Sequence, residues 1–126
     1  MYKGVLSGKA EGVFNGTITV RENAQKTDAL QYSKNLLLSK QAQINTKPQL
    51  EIRNNDVRCF HGATIGQIDP EAIFYLKSRG IDENQAKQIL VQGFVEEIIE
   101  GIHVPVLRNQ LESFLTEWLK GALEAS

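Results

Sequence analysis

A thiol and an imidazole two residues apart, in Cys59-Phe60-His61, are the pairing in this chain best suited to chemistry. Thiolate and neutral imidazole are good ligands for soft or borderline metals, iron in clusters and zinc among them. In an extended segment, side chains at i and i+2 point to the same face, so on a strand Cys59 and His61 stand side by side. Two donors do not complete a four-coordinate site, and the spacing lacks the second ligand pair of a zinc signature. The missing donors must come from elsewhere in the chain or from a partner. A structural reading competes: a buried thiol packed as a small hydrophobe beside a hydrogen-bonded histidine. A third reading, an imidazole-activated nucleophilic cysteine, lacks an evident orienting group. His103, in the Ile102-His-Val-Pro105 connection, reads as a surface or hinge residue.

The rest of the composition narrows the classes. The 126 residues suffice for one domain with a sizeable core, or a small domain with an appendage. With 14 basic and 15 acidic residues the formal charge is -1, and the scattered lysines and arginines leave no nucleic-acid footprint. One cysteine excludes an internal disulfide and suits a reducing compartment. No apolar run reaches membrane-span length and the N-terminus carries no signal-peptide pattern, so the expectation is a soluble cytoplasmic protein. Gly62-Ala-Thr-Ile-Gly66 lacks the Gly-Lys-Ser/Thr ending of a phosphate loop and the three-glycine dinucleotide pattern.

The elements that must position Cys59 and His61 fall into two halves, 1–67 rich in strand and turn signals and 68–126 helical. Val13, Thr17 and Thr19 alternate with Phe14, Ile18 and Val20, as in a half-buried strand. Further β-prone bursts are 35–38, 42–46, 49–52 and 57–61, and Asn15-Gly16 reads locally as a hairpin turn. Against the hairpin stands a weak repeat: Ala10, Ala24, Ala42 and Asp56 each open a similar piece, at intervals of roughly fourteen to eighteen residues, which suggests stacked coils. In such a stack Asn35, Asn45 and Asn54 are candidates for ladder turns. A parallel β-helix, a sandwich and a meander all remain open on pattern alone. An open coil end exposes unpaired backbone, so either a partner covers the first strand or the chain is the C-terminal piece of a longer protein.

Asp69-Pro70 starts a first helix, about Pro70 to Arg79, with Gly80 closing it. Ala72, Ile73 and Leu76 form its apolar side, with Phe74 near it. Asp82 and Gln85 form a capping box for a second helix whose stripe is Ala86, Ile89, Leu90, Phe94 and Ile98, ending near Glu100-Gly101. Pro105 opens a third with the stripe Leu107, Leu111, Phe114, Leu115, Trp118, Leu119 and Ala122. These stripes read mainly as core, yet they exceed what a simple cap requires, so one face is available to a partner.

Thr46-Lys-Pro-Gln-Leu-Glu-Ile52, Asp56-Val-Arg-Cys59, His61-Gly-Ala-Thr-Ile-Gly66 and Ile73-Phe-Tyr-Leu-Lys-Ser-Arg-Gly-Ile81, with Gln25-Lys-Thr-Asp28 and Asn35-Leu-Leu-Leu-Ser39, resemble the C-terminal region of the SufB/SufD family, on its SufD side. That family belongs to the SUF iron–sulfur cluster assembly machinery. The resemblance implies a mainly β fold with α: a right-handed parallel β-helix of few rungs, followed by a C-terminal helical domain of about three helices. It implies a non-enzymatic scaffold subunit working with SufB and the SufC ATPase, with a transient cluster at the SufB interface and no resident cofactor in the fragment. Self-association as a homodimer is compatible with it. His61 takes the place of the family's functional histidine and Cys59 that of its interface cysteine, while Phe60 stands where a small residue is common. Phe74, Phe94, Ile98, Leu111 and Trp118 are expected on the side where SufC docks. The alternative is a purely structural interaction or dimerisation module in which Cys59 and His61 are core residues.

Overall fold

The structure, a computed structural model, describes residues 1–124. Five strands, β1 (Tyr2–Leu6), β2 (Glu11–Val20), β3 (Thr27–Leu37), β4 (Gln43–Ile52) and β5 (Val57–Gln67), precede three helices, α1 (Pro70–Ser78), α2 (Glu83–Ile99) and α3 (Pro105–Glu124). Odd and even strands form separate sheets, ordered β1-β3-β5 and β2-β4, with every pairing parallel. Each residue pairs with one 30 to 32 positions further on, as Thr27 with Val57, Tyr2 with Ser33 and Glu11 with Gln43. Ala10, Ala42 and Asp56 stand immediately before β2, β4 and β5, and Ala24 just ahead of β3. The sequence repeat is therefore one strand with its turn, and two repeats return the chain to the same sheet.

The sheets face one another across a thin core. The rings of Tyr2 and Phe14 stack with centroids 4.3 Å apart, and Val20, Ala42 and Ile44 are buried. β2 alternates as expected: Val13, Thr17 and Thr19 are exposed, Phe14 and Ile18 half-buried, Val20 buried. Asn15-Gly16 is not a turn but lies within β2, opposite Lys47 and Pro48 of β4. A Cβ at Gly16 would collide with the Gln31 amide, so the bare position serves the interior. The bursts at 42–46 and 49–52 are one strand running through Pro48, which is tolerated because β4 has only β2 as neighbour and keeps one edge free. Of the three asparagines, only Asn54 acts in a turn, donating to Glu22 O at 2.6 Å and accepting from Asp56 N at 2.8 Å. Asn45 is exposed on β4, and Asn35 is buried on the inner face of β3.

The helix signals are local and hold. Asp69 accepts from Glu71 N and Asp82 from Gln85 N, while Gly80 has φ 88. The buried faces are rotated from the expected stripes. On α2 the buried residues are Ala86, Val91 and Ile99, leaving Ile89 and Ile98 exposed; on α3 they are Leu119, Ala122 and Leu123, leaving Leu107 and Phe114 exposed. The geometry that decides this is the packing of α3 along α2, which periodicity within one helix cannot encode. Arg108 Nη2 holds the α2–α3 connection by donating to Glu100 O at 3.0 Å and Ile102 O at 2.9 Å.

Lys3 ties the helices to the sheet. Its side chain is only 5% exposed; it donates to Phe94 O and to Glu97 Oε2, and its ammonium lies 4.8 Å from the Phe94 ring centroid. The hydrogen bond from Lys3, then the charges of Lys3 and Lys34, hold the Glu97 carboxyl below the usual glutamate range. For an acid whose folded pKa is depressed, the stabilisation is complete above the unfolded value, about 4.3, and is lost as pH falls through the folded one. Acid titration of thermal stability is expected to show this loss below about pH 4.3, and Glu97→Gln to remove that component. An unaltered acid limb in the variant would discount the bridge.

Candidate functional site

Cys59 and His61 both lie on β5 and project from the same face, their Cα atoms roughly 6.6 Å apart by strand geometry. Along that face Cys59 stands beside Ala29, His61 beside Gln31, Ala63 beside Ser33 and Ile65 beside Asn35 of β3. These β3 residues are buried or half-buried, because the β2-β4 sheet lies over them. Past Cys59, the corresponding β5 residues are exposed: His61, Ala63, Ile65 and Gln67. β5 is thus the last strand of its sheet with one edge unpaired, and its inner face extends past the cover of the opposite sheet. Cys59 is a free, half-buried thiol and His61 is open. Neither is among the buried residues of the described chain.

The opposite face of β5 is different. Phe60 is 65% exposed there, beside Leu30 at 59%, and points away from Cys59 and His61. Gly62 passes under the ring of Tyr32, where a Cβ would come within 2.8 Å of a ring carbon. Gly62 to Gly66 are strand residues of β5, not a loop. No group of three or more His, Cys, Asp or Glu side chains able to hold a metal occurs among the described residues. The pair can supply two lone-pair donors to an iron ion bound from outside. Neither β3 nor β5 places an acid on the inner face beside the pair.

The residues expected on the partner side are scattered in character. Phe74 of α1 is 75% exposed, and Ile98, Leu111 and Trp118 are exposed on α2 and α3. Phe94 is not presented outward: it is half-buried under the Lys3 ammonium and is an internal contact between α2 and β1. Val106, Leu107 and Phe114 extend the exposed apolar surface of α3. Val106 was legible only as an apolar residue outside the stripe. His103 lies in the exposed α2–α3 connection. No helix among the described residues is long and apolar enough to cross a membrane.

Residues 1–94, which include all five strands, α1 and most of α2, match the SufBD core domain of the SUF system for iron–sulfur cluster assembly. The chain belongs to the SufB/SufD family. Among relatives, the iron–sulfur cluster assembly protein SufD of Escherichia coli (strain K12) is 44% identical over 121 residues, covering 96% of this chain and 29% of that protein. A SufBD family protein of Synechocystis is 40% identical over 111 residues, 88% of this chain and 24% of its own length. SufD of Bacillus subtilis is 32% identical over 117 residues, 93% and 27% respectively. The chain thus spans 24–29% of the length of these curated relatives, and its motifs are those of a SufB/SufD family segment.

Proposed function

We propose that this chain is the C-terminal part of a SufD-like, non-enzymatic subunit of a cytoplasmic iron–sulfur assembly scaffold. On this reading its two facing parallel sheets are the last coils of a right-handed parallel β-helix, and the helices after them form the side that receives the SufC ATPase. SufB covers the open end at β5, or a second copy of the chain does so in a homodimer. ATP hydrolysis by SufC rearranges the SufB–SufD pair, and Cys59 with His61 helps hold iron or sulfide while a transient cluster is built at the shared face. The cluster is cargo, and its remaining ligands come from SufB.

The observation that carries this reading is the placement of a free, half-buried thiol and an exposed imidazole on one face of the edge strand β5, where side chains of another subunit can complete the coordination. Edge pairing supplies the backbone hydrogen bonds that hold such a subunit in register. Anaerobic reconstitution with SufB and SufC is expected to lose cluster formation with His61→Ala while the complex still assembles. Undiminished cluster yield would remove His61 from the mechanism.

A further inference from the structure

β4 and β5 are the last strands of their sheets, and their free edges differ. An unpaired edge is a template for another chain, and natural edges are blunted by proline, lysine and other charges. β4 carries Lys47, Pro48 and Glu51. β5 runs for 11 residues with neither proline nor lysine, and Arg58 is its one fixed charge. Beside this bare edge, on the outer face, Phe60 is 65% exposed and its β3 neighbour Leu30 59%. Tyr32, also exposed, lays its ring over Gly62, the β5 residue opposite it. Edge and apolar patch are continuous, so a strand added along β5 covers both.

We propose that this surface takes a second copy of the chain, the two β5 strands pairing antiparallel with Phe60 opposite the partner's Phe60. A two-fold axis that joins an edge to its own copy makes the pair antiparallel and keeps both outer faces on one side. In this register Val57 to Ala63 of each copy pair, Arg58 faces the partner's Gly62, and Cys59 faces the partner's His61. Two contacts select it. The phenyl rings of Phe60, the most exposed large apolar side chain of β5, cover one another. The Arg58 guanidinium meets a position without a side chain and reaches the Tyr32 ring that lies over it. Directly opposed like charges, which destabilise a pair of strands, do not arise. Centring on Gly62 instead pairs the whole strand, but sets Phe60 against Thr64 and Arg58 against Gly66, and both ring contacts are lost. The pairing needs no metal and does not rest on the assembly role proposed above.

Sedimentation velocity of the chain alone, over a concentration series with chelator and reductant present, is expected to show a reversible monomer–dimer equilibrium. Phe60→Ser, at a site exposed in the monomer, is expected to weaken the dimer about tenfold or more at an unchanged thermal midpoint. His61→Cys reads the register while keeping Phe60. Mild oxidation of that variant is expected to join position 61 of one copy to Cys59 of the other, as peptide mapping of the covalent dimer would show. A chain that stays monomeric up to hundreds of micromolar overturns the proposal, and this needs no variant that has to fold. So does a dimer whose dissociation constant is indifferent to Phe60→Ser, or whose oxidised His61→Cys form links Cys59 to the partner's Cys59 or fails to link. A chain that is monomeric by itself and pairs through β5 only with SufB sinks the second copy as occupant and leaves the assembly reading standing. A cluster yield indifferent to His61→Ala does the reverse.

Discussion

Leu119→Ala is expected to destabilise the chain by about 2–5 kcal/mol, read as a lower urea midpoint at unchanged slope. Leu119 is fully buried, and with Val91 it is the largest such side chain. It lies on α3, which packs along α2, and the buried set Ala86, Val91, Ile99, Leu119, Ala122 and Leu123 is the core of the helical half. Truncation removes buried methyl groups and leaves a cavity that helices tied by short connections close only in part. The control is Phe114→Ala on the same helix, 67% exposed, expected to change stability by less than about 0.5 kcal/mol. Equal losses from the two would mean that α3 buries a different face.

Asn35→Asp is expected to cost about 3–5 kcal/mol at neutral pH, although it changes no volume. Asn35 is 3% exposed, its Nδ2 donates to Ser33 Oγ and Thr64 O, and its Oδ1 has no partner. The substitution replaces the donor with an acceptor facing a carbonyl and introduces a charge that no cation on the inner face of β1, β3 or β5 compensates. Burial favours the protonated form, so the introduced carboxyl has a folded pKa above its unfolded value of about 3.9. The folded state then binds the extra proton, and stability rises as pH falls toward that unfolded value. Equilibrium unfolding between neutral and mildly acidic pH checks both the size and the slope. A loss under about 1 kcal/mol, flat in pH, would show that the space around Asn35 is open to water.

Both variants probe positions whose importance is not local. Asn35 reads as a polar residue in a weak β-burst, fit for a turn. It is buried because Gly4, its partner in β1, leaves space beside it, where a Cβ would lie 2.6 Å from Oδ1. Asn15-Gly16 carries a hairpin signal that loses to pairing with β4 and to the Gln31 amide, both contributed by segments far along the chain. Phe94 stands among the residues expected on the partner side until Lys3, from the first strand, covers it.

The sequence alone carries each feature whose physical cause lies within a few residues and that no distant segment contests. That includes the helix caps at Asp69, Asp82 and Gly80, the alternation of β2, and the shared face of Cys59 and His61. Its motifs also carried the family. Which strands meet, which faces of α2 and α3 are buried, and the place of His61 at an open sheet edge follow from long-range packing. The reason is one of range: caps and alternation follow from neighbouring backbone and side-chain geometry, whereas pairing across some thirty residues depends on what the opposite sheet leaves room for.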